Sequence, residues 1–462
     1  MNARRCQSPN SSRHSLISRA FSMVWTSRPV RRLSGTIRAP GDKSCSHRAL
    51  IFGGLASGTS RFTGLLEGDD VIRTGRAMAA LGAEVANTGP GAWEVRGVGP
   101  RGLTSPSDVL DFGNSGTGSR LMMGVMAGFD LTADLCGDAS LSSRPMNRVL
   151  NPLRQMGMRD TAGKEGRLPF TLTGSSALEA IYYAPPQASA QVKSAILLAG
   201  LNAVGTTTVL EAKATRDHTE RMLQGFGAKL GFRSNPGGAS EISIEGKQKL
   251  FAVDAAIPGD PSSAAFLIAA GILSPQGDVM VEGAMSNPTR SGFYDAANLM
   301  GAHLGAEERG EAAGERLIDL HAGYADLKGI AVPTRLVASM IDEFPILAVL
   351  AAFATGETRV TGADELRVKE SDRIKAIVAM LRVNGVEVEE TEDGFTVQGC
   401  GGAVPGGGVV ETRHDHRIAM SALVMGTAAQ KPVSVDDVSM IDTSYPEFLG
   451  HMAALGADIG AG

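Results

Sequence analysis

Six times along the chain a polar cluster gives way to a run of small and apolar residues with no polar face. The runs are Lys43–Ala56 (KSCSHRALIFGGLA), Asn114–Gly128 (NSGTGSRLMMGVMAG), Ser189–Gly200 (SAQVKSAILLAG), Asp260–Gly271 (DPSSAAFLIAAG), Ile341–Phe353 (IDEFPILAVLAAF) and Asp415–Gly426 (DHRIAMSALVMG). A helix that is apolar all round is a buried helix, and the polar cluster marks its start. Short β-branched segments follow most of them (TSRFTGL, TTTVLEA, DVMVEGA, TRVTGA, PVSVDDV), and then charged helical stretches.

Each charged stretch ends on a glycine, after an apolar residue in five cases and after Asn384 in the other: Gly82, Gly157, Gly227, Gly301, Gly385 and Gly456, spaced by 75, 70, 74, 84 and 71 positions when their numbers are subtracted in turn. A glycine there predicts a helix end that turns in the left-handed region. The repeating unit therefore reads β-α-β-α-β-β, and six units predict an α/β protein of two three-unit domains built around buried parallel helices. We expect one domain over 43–256, a second over 33–42 with 257–462, and a basic, disordered segment over 1–32.

That segment differs from the rest: its first 33 residues hold seven arginines, and no acidic residue precedes Asp42. The composition suits a transit peptide, but a disordered tail, or sequence lying upstream of a start at Met23, is the reading we favour over targeting. The chain as a whole is 462 residues, 43% hydrophobic and 5% aromatic, with net charge −5, which speaks against nucleic acid as a partner. The longest apolar run, Pro345–Ala354, is too short for a membrane span. Cys6, Cys45, Cys136 and Cys400 show no paired spacing, so we expect neither disulfides nor a zinc site, and a cytoplasmic location.

Buried parallel helices that each begin with polar residues aim free N–H groups and positive dipole ends at one place, an anion-binding surface. Lys43, Arg48, Arg120, Arg144, Arg216, Lys369, Arg373 and Arg417 all lie at or near such starts or in loops. Anionic substrates are therefore expected. Taken singly, each base is as easily a solvated charge, and Asp342 or Ser44 a plain helix cap.

The motifs PGDKSxSHR, GNSGTGSR, SRPM, SAQVKSA, TRDHTE, NPTR, SMIDEFPILA, LRVKESDR and DHRIAM, in that order from about Leu33 to the C-terminus, resemble the 5-enolpyruvylshikimate-3-phosphate synthase family. GDKS, SAQVK, RDHTE and NPTR resemble its class II subgroup, which is associated with glyphosate tolerance. The resemblance implies an inside-out α/β fold of two domains joined by a double crossover. It also implies transfer of the enolpyruvyl group of phosphoenolpyruvate to the 5-hydroxyl of shikimate 3-phosphate, on the route to chorismate and aromatic amino acids, by a monomer without metal or organic cofactor.

Motif by motif, the resemblance implies shikimate-3-phosphate contacts at Lys43, Ser44, Arg48, Ser189, Ala190, Gln191, Arg216, Asp342 and Lys369. It implies phosphoenolpyruvate contacts at Lys43, Gly116, Arg144, Gln191, Arg373 and Arg417. Asp342 is expected to take the hydroxyl proton, and Glu370, with Lys43, to deliver one to the methylene carbon. Glu343 is the neighbour most easily confused with Asp342. Where many members carry a lysine in the last repeat this chain has Thr443, so a phosphate contact is expected either to be lost or to be supplied by Arg120 or Arg413. Cys45 is expected to be an inert packed thiol. The related UDP-N-acetylglucosamine enolpyruvyl transferases share the repeats but open with Lys-Asn where this chain has Lys43-Ser44.

Overall fold

The computed structural model describes residues 24–235 and 238–462. The six apolar runs form helices Lys43–Leu55, Gly116–Ala127, Ala190–Gly200, Pro261–Leu273, Phe344–Phe353 and His416–Ala428, all largely or wholly buried. Five of them are capped by the side chain before the first turn: Asp42, Ser115, Ser189, Asp260 and Asp415 each accept a backbone N–H from two or three residues on. The helix Phe344–Phe353 instead has Pro345 in its first turn, where no N–H is needed.

These helices divide between two apolar cores. Residues from Cys45 to Ile257, joined by Met285, make one; Leu33, Ile37 and Ala39 join residues from Ala264 to Leu455 in the other. Within the first core the small residues allow close approach: a Cβ on Gly124 would lie 2.3 Å from the carbonyl oxygen of Ala195 on the neighbouring helix. Sheets surround the helices, five of four strands and one of three among the described residues. In the sheet of the first unit, Asp254–Ala256 runs parallel to Thr59–Thr63, which pairs antiparallel with Ala92–Arg96, itself in a hairpin with Glu84–Gly89. All six repeat glycines have positive φ, from 79° at Gly385 to 110° at Gly82 and Gly157. Each ends its helix in the left-handed turn the spacing predicted.

One expectation needs correction. Trp25–Arg28, placed with the disordered segment, is a strand between Val433–Val435 and Asp458–Ala461, antiparallel to both. The last unit ends the chain after one hairpin strand, and the N-terminal strand supplies the other. Residues 1–23 lie outside the described residues.

The chain crosses between the cores twice, and the crossings bond to each other. Asp42 N–H donates to Pro258 O and Asp260 N–H to Pro40 O, both at 2.7 Å.

Candidate functional site

A cavity of about 660 Å³ opens between the two cores, lined by first-turn or capping residues of the helices: Lys43 and Ser44, Gly116 and Thr117, Ser189 to Gln191, Asp260, and His416 and Arg417. The sixth helix contributes through Ile341 and Asp342 just before it. The dipole ends thus converge as the sequence predicted.

Of the residues expected to touch substrates, Lys43, Ser44, Gly116, Arg144, Ser189, Ala190, Gln191, Arg216, Asp342, Lys369, Glu370, Arg373 and Arg417 all line this cleft. Arg48 does not. It is 3% exposed, and its guanidinium is spent inside the protein, on Thr219 Oγ1 (2.7 Å), Ser194 Oγ (3.0 Å) and the carbonyl of Ser44 (2.9 Å). Five positions beyond the first residue of its helix, Lys43, the long side chain folds back into the core and organises the wall from behind.

Asp342 sits at the centre of a cationic cluster. Arg216 reaches it from the first core at 2.5 Å, and Lys369 and Arg373 donate to its other oxygen at 3.1 Å each. Burial alone would raise its pKa, but Lys369, Arg216, Arg417 and Arg373 together hold the carboxyl well below the ordinary range. Glu370 accepts from Arg373 at 2.5 Å and faces Arg144 at 3.9 Å. Burial again opposes ionisation, and the guanidiniums of Arg373 and Arg144 overcome it. Both carboxyls are therefore charged at neutral pH. Arg373 is anchored from behind by Asp415 at 2.9 Å, which orients its planar fork.

Glu343 is turned away: it is 1% exposed, accepts from Ser262 Oγ, and is absent from the cleft wall. Arg120 lines the cleft and donates to Gln191 Oε1 at 2.5 Å. Burial, with Arg148 and Arg144 nearby, lowers its pKa to about 10. Arg413 is exposed and stands off the cleft, and Thr443 donates to the carbonyl of Met440 (2.7 Å). Of the two candidates for the missing lysine charge, only Arg120 is in place. The Cys45 thiol is buried, and burial, then Asp42 and Glu315, push its pKa well up, so it is an inert thiol.

Sequence reasoning missed several lining groups, Asp70, His416 and Lys193 among them. Asp70 pairs with Lys43 Nζ at 2.5 Å, from a helix start whose EGDD sequence carries no distinguishing signal. His416, inside a motif already singled out, is buried, and burial and then Arg417 hold it neutral, at about 3. Lys193 pairs with Glu220 (2.7 Å) and Glu211 (2.9 Å), a partnership between distant segments that spacing cannot reveal.

A family model described as EPSP synthase (3-phosphoshikimate 1-carboxyvinyltransferase) matches residues 27–452. The 3-phosphoshikimate 1-carboxyvinyltransferase of Hyphomonas neptunium is 82% identical over 437 residues, covering 95% of this chain and 100% of the relative. That of Parvibaculum lavamentivorans is 54% identical and covers 94% and 96%. Among solved structures, EPSP synthase from Acinetobacter baumannii superposes with a TM-score of 0.84 at 40% identity, over 95% of this chain and 99% of that one. The enolpyruvyl transferase NikO from Streptomyces tendae, at 18% identity and a TM-score of 0.72, shares the fold.

Proposed function

This chain belongs to the EPSP synthase (3-phosphoshikimate 1-carboxyvinyltransferase) family, and from that premise we propose which of its residues carry the transfer of the enolpyruvyl group from phosphoenolpyruvate to the 5-hydroxyl of shikimate 3-phosphate. The observation that carries the assignment is the meeting, in one cleft, of the helix starts, the cations and two ionised carboxylates. Two anionic substrates need that concentration of positive charge, and the reaction needs two carboxyls in different surroundings.

Lys43, Ser44, Ser189, Ala190, Gln191, Arg216, Asp342 and Lys369 hold shikimate 3-phosphate. Arg144, Arg373 and Arg417, with Lys43, Gln191 and the backbone at Gly116, hold phosphoenolpyruvate, whose carboxylate and phosphate suit planar guanidinium forks. Asp342, already ionised, takes the proton of the 5-hydroxyl. Glu370 must first gain a proton to give one to the methylene carbon. Phosphoenolpyruvate supplies the condition: by occupying Arg144 and Arg373 it neutralises the charges that keep Glu370 ionised, leaving burial to raise its pKa. The 5-oxygen bonds to the central carbon of phosphoenolpyruvate as the methylene becomes a methyl; departure of phosphate, helped by the same arginines, with return of a methyl proton to Glu370 restores the double bond and completes the exchange.

The two cores correspond to domains over 43–256 and over 33–42 with 257–462, the second joined by the strand Trp25–Arg28. The enzyme works as a cytoplasmic monomer, with Cys45 and Cys400 kept as thiols, and glyphosate competes with phosphoenolpyruvate. Release of inorganic phosphate on mixing the two substrates, lost with Asp342→Asn, tests the reading; phosphate release at the native rate by that variant overturns the role of Asp342.

A further inference from the structure

At the back wall of the cleft, where the two crossings meet, lies a buried polar cluster that the chemistry above does not use; Asp42, Asp260 and Arg290 reach that wall and the rest of the cluster lies behind it. Its centre is His218, fully buried at the start of the helix His218–Gly225. From the first core, His218 Nδ1 lies 2.8 Å from Glu315 Oε1 of the second. Its other nitrogen, Nε2, faces Arg290 Nη1 at 3.3 Å. Arg290, also buried, clamps both crossings: Nη1 donates to Asp42 at 2.9 Å and Nη2 to Asp260 at 3.1 Å. Those aspartates cap the helices that begin with Lys43 and Pro261. Asn287 donates to both Glu315 (2.9 Å) and Asp217 (2.7 Å), tying the two cores a second time.

The cluster joins the sequence signatures to one another. Asp42 belongs to GDKS, Asp217 and His218 to RDHTE, and Asn287 and Arg290 to NPTR, while Glu220 of RDHTE pairs with Lys193 of SAQVK. Part of each signature thus faces inward, toward the others.

A metal site is the competing interpretation, since Cys45, His218 and Glu315 bring ligand atoms within 4.8 Å of one another. Cations already flank those atoms, Arg290 at His218 and Arg221 Nε 3.7 Å from Glu315 Oε2, and the thiol is held protonated. A bound metal ion would have to part the 2.8 Å hydrogen bond between His218 Nδ1 and Glu315 Oε1 and take the proton from the thiol.

The positions next in sequence face the cleft. Arg216 lies two residues before His218, Lys43 follows Asp42, and Asp342 precedes Glu343, whose partner Ser262 also accepts from Arg290 at 2.9 Å. We propose that His218 is a positioning residue: the His218–Glu315–Arg290 node is a buried brace between the lobes that sets the distance from Lys43 and Arg216 on one side to Asp342 on the other. This inference rests on the assignment of those three residues to the reaction. Misplacing reacting groups by about 1 Å costs on the order of 10²-fold in rate. Removing the brace should therefore lower kcat and raise the KM for shikimate 3-phosphate in a protein that is still folded.

The test compares His218→Leu, which removes both contacts, with His218→Asn, whose amide can reproduce the Nδ1 bond to Glu315, and with Glu315→Gln. Thermal melts and full kinetics in both substrates are measured at a temperature where each variant is folded. We expect roughly 10²-fold lower kcat for His218→Leu, substantial rescue by His218→Asn, and an intermediate loss for Glu315→Gln. Should His218→Leu fail to fold, the other two decide, and native kcat and KM in both overturns the brace. So does a set of variants that melt lower yet turn over at the native rate, since that is a purely structural role. Arg216→Ala is run alongside: if it is inactive while the His218 variants are not, the brace falls and the site stands; if it is fully active, the assignment of Arg216 falls instead.

Discussion

Arg216 and Asp342, 126 residues apart and on opposite lobes, meet in the cleft at 2.5 Å. The carboxylate proposed to accept the hydroxyl proton is thus covered by a guanidinium from the other side. Shikimate 3-phosphate has to enter between them or displace one, which makes its binding inseparable from the spacing of the lobes. Arg144 with Glu370 at 3.9 Å and Arg148 with Glu365 at 3.6 Å repeat the pattern.

Asp342→Asn removes the base while keeping the shape, and should lower kcat on the order of 10²-fold or more with shikimate-3-phosphate affinity within a few-fold. Glu343→Gln should change kcat little, because Glu343 faces Ser262 and Arg417 rather than the cleft. Its cost should appear as a lower melting temperature. Steady-state kinetics and melts on both variants separate the neighbours, and a larger kcat loss in Glu343→Gln would refute the assignment.

Glu370 should take up a proton when phosphoenolpyruvate binds. Calorimetry in buffers of different ionisation enthalpy reads that uptake, and Glu370→Gln isolates it from any change on the ligand. Equal uptake by native enzyme and variant would place the proton elsewhere.

The six-unit architecture was legible because each unit announces itself twice, in a helix with no polar face and in a glycine that the helix end requires. Many cleft residues at helix starts were legible, although Asp70 and His416, also at helix starts, were not. The strand Trp25–Arg28 was not: WTSR has no apolar alternation, and its only reason to be extended is a gap between strands more than 400 residues away. Arg48 stands off the cleft wall, which sequence does not reveal: it shows that a cation stands near a helix start but not whether its fork points into the cleft or into the core. The pairing of Lys193 with Glu220, and of Arg290 with Asp42, lies in the tertiary structure alone.

That strand can be tested directly. A chain beginning at Leu33 leaves Val433–Val435 and Asp458–Ala461 without their common partner, at about 1 kcal/mol for each ladder hydrogen bond lost. Its urea midpoint should fall well below that of the full chain. Arg28→Ala, which removes only the exposed pair with Asp458, should cost little. Equal midpoints for all three proteins would show that the strand contributes nothing.

Acid should destabilise the fold before its carboxylates titrate. Burial first of all holds His47 well below the ordinary histidine value of 6.5, with Lys43 and Arg48 adding to it, and holds His416 at about 3. Below pH 6.5 the unfolded imidazoles bind protons and the folded ones do not. Stability is therefore full above that pH and falls as the pH drops, by about 1.4 kcal/mol per pH unit for each histidine. The depressed carboxyls of Asp42, Asp342 and Glu370 add losses of the same sign below about pH 4.5. Urea midpoints between pH 7 and 5 should slope accordingly, and His416→Gln should flatten the slope. An unchanged slope in that variant would mean that His416 is not buried neutral.

Gly116 stands where the phosphoenolpyruvate arginines converge: a Cβ built there would lie 3.1 Å from Arg144 Nη1 and 3.5 Å from Arg120 Nη1. Its φ is not positive, so alanine meets no backbone strain at the start of this helix. The new methyl must instead move Arg144, which Asn114 Oδ1 and Ser140 Oγ hold at 2.6 and 3.1 Å, by a few tenths of an ångström, and it narrows the seat of any ligand lying along the arginines. Phosphoenolpyruvate is the shorter molecule and glyphosate the longer, so the inhibitor meets the methyl first. The native enzyme, with glycine here, should bind glyphosate competitively with phosphoenolpyruvate despite its class II signatures, part of each of which is engaged in the buried network behind the cleft. Gly116→Ala should raise the KM for phosphoenolpyruvate modestly and the inhibition constant for glyphosate far more, the ratio growing by roughly 10- to 200-fold, the range one methyl group commands in a tight pocket. Inhibition constants and KM measured on both proteins decide it. An unchanged ratio would mean that the methyl is absorbed by Arg144 alone, and a native enzyme insensitive to millimolar glyphosate would place the discrimination elsewhere in the cleft.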